Sequence, residues 1–117
     1  MTNPKWPLPE PGKWALEPQN HIIRYPGVEE FVYLITAPEL MRCKIGYTKR
    51  LPQRVKTIRQ NSPTLIELIN YFPGDEVFER KLHQEFRNVR LFGEWFSMTK
   101  EIVQRFRDEA KLAGAKD

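Results

Sequence analysis

Four polar residues in this sequence are of types that could perform acid–base, metal-binding or anion-binding chemistry. Tyr33 lies within the apolar run FVYLIT, Arg54 lies beside an apolar helical stripe, and Glu79 and His83 are four residues apart. A glutamate and a histidine at that spacing share one face of a helix, where they can bind a metal ion or hydrogen bond to each other. Each residue also has an ordinary structural explanation, so the arrangement in the fold must decide between the two.

Two further residues lie in settings that could alter their chemistry. Cys43 stands between Arg42 and Lys44, whose charges could lower the pKa of its thiol. No cysteine–histidine–asparagine arrangement accompanies it, so we expect a structural strand residue. As the one cysteine in the chain, Cys43 excludes an internal disulfide and favours a reducing compartment. Glu94, in the segment GEWF, lies between a glycine and two aromatic residues, and its role stays open.

Positive charge is concentrated in one segment of the chain. The net charge is +4 and the isoelectric point is about 9.3, which is a mild excess. Residues 41–66, however, contain seven lysines and arginines and no acidic residue. Such a segment is either a solvated surface or a binding surface for a polyanion, and nucleic acid is the polyanion that we expect. The candidate nucleic-acid-binding residues in this segment are Arg42, Tyr47, Lys49, Arg50, Lys56 and Arg59.

The elements that must position these residues follow from the apolar pattern. β-Branched and aromatic runs predict strands, and apolar residues at spacings of three and four predict helices. We expect strands at Phe31 to Thr36, Cys43 to Thr48 and Thr64 to Phe72, and helices at Leu51 to Gln60, Glu76 to Arg87 and Thr99 to Leu112. The segment NVRLFGEWF is expected to be a loop with a short extended piece. The predicted fold class is α+β, a small three-stranded mixed or antiparallel sheet flanked by about three helices in the order ββαβαα.

The first 28 residues differ in composition from the rest. They contain six of the ten prolines, which remove backbone donors and fix φ. They also contain two tryptophans, whose indoles favour burial. We expect residues 1–28 to be an extended arm across the domain of residues 29–117, or else a tail that binds a partner. No apolar run approaches the ~20 residues of a membrane span, and the amino terminus lacks a signal peptide's apolar stretch, so we expect a cytoplasmic protein without a membrane partner.

The order and spacing of the polar residues resemble the GIY-YIG nuclease superfamily. The tripeptide VYL is followed by KIG, with Lys44 eleven residues after Tyr33, and Arg54 stands eight residues after Gly46. A helical glutamate then follows the third predicted strand, within ERKLHQEFRNVRLFGEWF. The chain looks most like the phage-associated branch that has KIG in place of YIG and a GEWF motif. The resemblance covers about residues 31–106.

The resemblance implies an endonuclease that hydrolyses phosphodiester bonds in DNA with one divalent cation, Mg²⁺ or Mn²⁺. It implies that Glu79 binds the metal and that Tyr33, Lys44 and Arg54 belong to the catalytic site; from its place one turn after Glu79, we expect His83 to belong to it as well. Arg54 would contact the charge that develops on the phosphoryl group. An unperturbed phenol is a poor base at neutral pH, and we expect Lys44 and the metal to lower the pKa of Tyr33. His83 would orient the glutamate, contact the phosphate or carry a proton.

Departures from the family pattern leave alternatives open. Phe31 and Val32 replace the glycine and isoleucine of the first motif, and the asparagine that closes the usual site has no clear match. One alternative is a catalytically inactive scaffold that binds nucleic acid or another partner, and another is an adaptor that acts through residues 1–28. The expected partner is nucleic acid, with DNA preferred and RNA left open. Because a domain of this kind makes few base contacts, we expect either a homodimer or an accessory specificity protein, or else weak, nonspecific or structure-directed cutting.

Overall fold

The computed structural model describes residues 25–114 of the 117-residue chain. The predicted arm of residues 1–28 lies outside this range except for its last four residues. Tyr25, the first of these, is buried and packs edge-on against Tyr71, whose backbone carbonyl accepts a hydrogen bond from the Tyr25 hydroxyl at 3.2 Å. The division of the chain at residue 28 stays a prediction.

Five strands and three helices make up the described part of the chain. In chain order they are β1 (Phe31–Ala37), β2 (Arg42–Thr48), α1 (Leu51–Asn61), β3 (Glu67–Pro73), α2 (Glu76–Glu85), β4 (Arg90–Phe92), β5 (Trp95–Ser97) and α3 (Lys100–Leu112). Short 3₁₀ turns at Pro38–Leu40 and Arg87–Val89 precede β2 and β4. The α+β class is confirmed. Within the described range, none of the helices combines the length and the apolar character needed to cross a bilayer.

The sheet is larger than the sequence led us to expect. All five strands join one antiparallel sheet in the order β3–β1–β2–β5–β4. The prediction of three strands was wrong because the segment NVRLFGEWF, expected to be a loop, forms the hairpin β4–β5. Gly93 makes this turn possible, since its φ of +53° is a left-handed conformation that glycine adopts without strain. Strands of three residues are too short to show an alternating pattern in the sequence.

Strand β1 lies inside the sheet, between β3 and β2, and is buried along its whole length. Its run of β-branched and aromatic residues suits a strand that is covered on both faces. Phe72 of β3 packs against Phe78 of α2 and Phe106 of α3, with ring centroids 5.3 and 5.2 Å apart. Helices α2 and α3 therefore cover the face of the sheet that carries Phe72.

The opposite face of the sheet carries Tyr33, Gly46 and Lys44. Tyr33 and Gly46 are direct cross-strand partners, and residues two apart in one strand point to the same side. Arg54 of α1 lines a cavity together with Lys44. Helix α1 therefore lies over this face of the sheet. The predicted site residues therefore come from elements on both faces of the sheet. They can meet only where a strand has no neighbour along part of its length.

Gly46 allows the phenol of Tyr33 to lie across β2. A Cβ atom on residue 46 would lie 2.3 Å from both Cζ and the hydroxyl oxygen of Tyr33, far inside van der Waals contact. Tyr33 is itself fully buried, so its ring has no solvent-filled space to move into. The absence of a side chain at residue 46 is therefore what lets the hydroxyl of a central strand reach over the neighbouring strand.

Gly46→Ala is expected to destabilise the protein, because the added methyl group overlaps the Tyr33 ring. Overpacking of this kind lowers the free energy of unfolding by about 1–3 kcal/mol. Urea denaturation of Gly46→Ala, Tyr33→Leu and the double variant measures the effect. The double variant should lose less stability than the sum of the single variants, since leucine does not reach over residue 46; additive losses would contradict the steric explanation.

Candidate functional site

The site lies where β5 leaves the outer edge of β2 open. Strand β5 pairs with β2 only from Arg42 to Lys44, so the next residue, Ile45, must find other partners for its backbone groups. The Ile45 amide donates to the backbone carbonyl of Glu94 at 3.1 Å, and the Ile45 carbonyl accepts from Nε2 of His83 at 2.9 Å. These two hydrogen bonds fix Glu94 and His83 at the same point of the strand edge.

The hydrogen bond of His83 determines which ring nitrogen carries the proton of the neutral imidazole. A backbone carbonyl can only accept, so Nε2 must donate and Nδ1 keeps its lone pair. The ring is also held against Phe96 in an edge-on contact, with centroids 5.1 Å apart. His83 therefore offers a positioned nitrogen that can bind a cation or accept a proton.

Helix α2 places Glu79 one turn before His83, as the sequence predicted. Its N-cap is Asp75, whose side chain accepts a hydrogen bond from the Phe78 amide at 2.9 Å. This cap satisfies an amide that the helix itself leaves without a partner, and it fixes the first turn, in which Glu79 lies. The cap thus contributes directly to the position of the Glu79 carboxylate.

Glu79, His83 and Glu94 form a cluster of possible metal ligands. One ligand atom from each side chain lies within 4.8 Å of the other two, and all three residues are half-buried. The pKa of Glu79 is raised to about 7, first by burial, then by the charge of Glu94 and a hydrogen bond to it, and also by Glu76. The ammonium of Lys44 acts in the opposite direction. The two carboxylates are thus close enough to compete for one proton near neutral pH.

The donor set of this cluster fits a divalent cation. Carboxylate oxygens suit Mg²⁺ and Mn²⁺, and an imidazole nitrogen is a ligand typical of transition metals. A cation between the carboxylates would also relieve the repulsion that raises the pKa of Glu79. The resemblance implied that Glu79 binds the metal, and the spacing allowed His83 to bind it as well. The structure places Glu94 beside both residues.

Lys44 connects the carboxylate cluster with the aromatic residues of β5. Its Nζ lies 2.9 Å from Oε1 of Glu94 and 5.7 Å from the centroid of the Trp95 ring. The Lys44 side chain is only 17% exposed, so water screens this ion pair less than a surface pair. The position of the ammonium is therefore defined from two sides, by a carboxylate and by an indole.

The Tyr33 hydroxyl is buried and has no hydrogen-bond partner within the described part of the chain. Burial raises the pKa of Tyr33, the charges of Glu94 and Glu79 raise it further, and Arg54 lowers it. Arg54, and not Lys44 as expected, is the cation that lowers this pKa, while the Lys44 ammonium is paired with Glu94. Tyr33 therefore keeps its proton at neutral pH and can act as a hydrogen-bond donor rather than as a base. The expected effect of a metal ion on this pKa stays a prediction.

Arg54 is exposed on α1 and lines a cavity of about 430 Å³ together with Arg42 and Lys44. Its charge also acts on the Tyr33 hydroxyl. The five residues expected to be catalytic thus lie around the open edge of β2: Arg54, Tyr33 and Lys44 approach from one face of the sheet, and α2 contributes Glu79 and His83 from the other. Their roles in a reaction stay predictions.

Two of the predicted nucleic-acid-binding residues lie among acidic neighbours. The Tyr47 hydroxyl donates to Glu30 at 2.6 Å. Lys49 lines a separate cavity together with Glu29, Glu30 and Asp75. A surface with three carboxylates repels a phosphodiester backbone, so these contacts do not favour Tyr47 and Lys49 as binding residues.

The other four predicted nucleic-acid-binding residues are more accessible. Arg42 lies beside Lys44 in the cavity wall, which places it next to the candidate site. Arg50 and Lys56 are exposed at the start and on the outer face of α1. Arg59 is partly occupied by an ion pair with Glu67 at 3.5 Å. The six candidate residues therefore do not form one uniformly basic surface. Arg42 is the candidate that lies next to the site.

Glu94 is the site residue whose role the sequence left open. Its position depends on the hairpin β4–β5, which pairs Trp95 with Lys44 and so places Glu94 beside Ile45. The GEWF motif forms part of this hairpin, but the position of Glu94 can be predicted from it only once the hairpin itself is recognised. Cys43, by contrast, is confirmed as a structural residue: it is buried, and burial raises the pKa of its thiol to about 12.

Comparison with known proteins gives one family match. A family model described as the T5orf172 domain matches residues 30–111, which is more than two thirds of the chain. The match includes all the elements from β1 to β5 and nearly all of α3. No curated protein and no solved structure matches the chain.

Tyr33→Phe is expected to raise the free energy of unfolding by about 1 kcal/mol, because it keeps the ring and removes a buried hydroxyl that lacks a partner. The matched control is Tyr25→Phe, which removes a hydroxyl that donates to the Tyr71 carbonyl and should lower stability instead. Urea denaturation without added metal measures both. A loss of stability in Tyr33→Phe similar to that in Tyr25→Phe would show that the Tyr33 hydroxyl is satisfied.

Proposed function

Because the chain belongs to the T5orf172 domain family, a phage-associated and nuclease-related family of the GIY-YIG-like kind, we propose that it is a metal-dependent endonuclease that hydrolyses phosphodiester bonds in DNA. One observation carries the proposal: Glu79, His83, Glu94 and Lys44 meet at the open edge of β2, close to the unpaired hydroxyl of Tyr33. Two carboxylates, a positioned imidazole, an ammonium and a buried donor can together supply the proton transfer and the charge compensation that phosphodiester hydrolysis requires.

Arg54 and Lys44 are the cations that would bind the scissile phosphate. The guanidinium presents a fork of donors that matches phosphoryl oxygens, and the ammonium adds a compact charge. Tyr33 is fully buried, so its hydroxyl would donate to the same group once the side chains that cover it move aside, and it would then gain the partner that it lacks in the described chain. A buried donor without a partner is costly, and this cost favours the state in which a phosphate oxygen is bound.

Glu79 and Glu94 would hold the divalent cation, Mg²⁺ or Mn²⁺, through their carboxylate oxygens. Such an ion would supply charge compensation for the phosphoryl group and for the leaving oxygen. Glu94 has a second contact, its ion pair with Lys44 at 2.9 Å. Glu94 would therefore contact both the metal ion and Lys44, and a change at Glu94 should weaken both metal binding and phosphate binding.

His83 is the group that the hydrogen bonds favour as the base. Its Nδ1 keeps a lone pair because Nε2 donates to the Ile45 carbonyl. Tyr33 is less suited to this role, since burial raises its pKa. We therefore assign removal of the proton from the attacking water to Nδ1 of His83, and a donor role to the Tyr33 hydroxyl.

The choice of DNA as substrate rests on charge and on the family. Residues 41–66 contain no carboxylate, and a binding surface that neutralises phosphates should lose affinity steeply as salt is raised. A homodimer or an accessory protein would extend the small surface of this domain and supply specificity. The buried free thiol of Cys43 agrees with a cytoplasmic setting, in which thiols stay reduced.

Plasmid nicking in Mg²⁺ or Mn²⁺ tests the proposal. Glu79→Gln should abolish nicking above background, because it removes a charged ligand without changing the side-chain volume. Arg54→Ala should reduce the rate roughly a hundredfold or more, since it removes a donor to the charged transition state. Arg54→Lys should fall between wild type and Arg54→Ala, because it keeps the charge and loses the fork of donors.

The matched control for Glu79→Gln is Glu101→Gln, which makes the same change at an exposed position in the first turn of α3. Glu101→Gln should nick DNA at the wild-type rate. If wild type nicks no more than Glu79→Gln, while both bind DNA in a salt-sensitive manner, the protein is a nucleic-acid-binding scaffold and the endonuclease proposal fails.

A further inference from the structure

The cavity beside the candidate site contains groups that hydrolysis of a phosphodiester bond does not require. It measures about 430 Å³ and lies between α1, β2 and the hairpin β4–β5. Its lining includes the cations Arg42, Lys44 and Arg54 and the rings of Phe92 and Trp95, and no acidic side chain of the described chain takes part. Its volume falls within the range of roughly 300–1,000 Å³ that is typical of sites for small organic groups.

The two rings of this cavity are paired with two of its cations. Phe92 is 59% exposed, which is unusual for a large apolar side chain. The Arg42 guanidinium lies 6.0 Å from the centroid of the Phe92 ring, and the Lys44 ammonium lies 5.7 Å from that of Trp95. Proteins that bind single-stranded nucleic acid combine cations, which follow the backbone, with rings on which bases stack.

Lys44 and Arg54 belong to both the cavity and the candidate site. Lys44 contacts Glu94 on one side and Trp95 on the other, and Arg54 lines the cavity while its charge acts on the Tyr33 hydroxyl. A phosphate bound by these two cations would therefore have its own nucleotide next to the cavity. A base within a perfect duplex is stacked and paired, so it could enter the cavity only after it had left the helix.

We propose that this cavity binds an unpaired nucleobase adjoining the phosphate held by Lys44 and Arg54, and that the base stacks on Phe92 and Trp95. The preferred substrate is then DNA with an unpaired nucleotide at the position of cleavage. The inference rests on the proposed function for the place of the scissile phosphate, whereas binding of the base itself needs no cleavage. Stacking accepts any base, so this site would recognise the structure of the DNA rather than its sequence.

The test compares two DNA duplexes that differ only in one base. The first carries a single unpaired thymidine, and the second has an abasic residue at that position, so that the phosphates are identical. Binding is measured by fluorescence anisotropy with EDTA present, which prevents metal-dependent cleavage. Wild type should bind the first duplex at least about fivefold more tightly than the second, because stacking of one base on aromatic side chains has this size.

Three variants test whether this preference for the base comes from the cavity. Phe92→Ala changes an exposed side chain and should reduce the preference for the base severalfold, and Trp95→Leu should do the same. The matched control is Leu91→Ala, which truncates a side chain of the same strand that is 44% exposed and lies outside the cavity lining. Leu91→Ala should keep the wild-type preference. Thermal unfolding of each variant checks that it is folded.

Equal binding of the two duplexes by wild type would overturn the inference, and so would a base preference that survives in both Phe92→Ala and Trp95→Leu. These results are independent of plasmid nicking. Metal-dependent nicking without a base preference would leave the proposed function in place and remove the base site. A base preference that depends on Phe92, in a protein that nicks no DNA, would keep the base site and remove the proposed function.

Discussion

Strand β2 extends beyond the short strand that pairs with its outer edge, and the rest of the site depends on this mismatch. The backbone groups of Ile45 lie beyond the end of the β2–β5 ladder and still need partners, because buried backbone groups are rarely left unpaired. The Glu94 carbonyl and the His83 ring supply them. A requirement of the sheet thus brings a carboxylate-bearing turn and an imidazole to one point, and it makes Nε2 the ring nitrogen that donates.

The same region contains interactions that lower the stability of the fold. The Tyr33 hydroxyl has no partner in the described chain, and the Glu79 and Glu94 carboxylates are close enough to raise the pKa of Glu79 to about 7. The wholly buried strand β1 and its two long antiparallel neighbours stabilise the fold and offset this loss of stability. Both costs would fall when an anionic group and a cation are bound, so they favour ligand binding.

The sequence was sufficient to predict the long elements and insufficient for the short ones. The buried strand β1, the start of α2 after Asp75, and the shared face of Glu79 and His83 all follow from apolar spacing and from capping. The hairpin β4–β5 does not, because its three-residue strands show no period. The role of Glu94 was missed for the same reason, since its position depends on the register of β5 against β2. The direction of the Tyr33 pKa depends on burial and on the partner of Lys44, and neither can be read from local sequence.

The position of a bound Mn²⁺ ion, located by anomalous X-ray scattering from crystals of the protein, tests the metal centre most directly. We expect one peak at a distance of about 2 Å from carboxylate oxygens of both Glu79 and Glu94, with His83 adjacent. The peak should disappear in crystals of Glu79→Gln. A peak at another place, or none on these residues at a saturating Mn²⁺ concentration, would contradict a metal-dependent site at the open edge of β2.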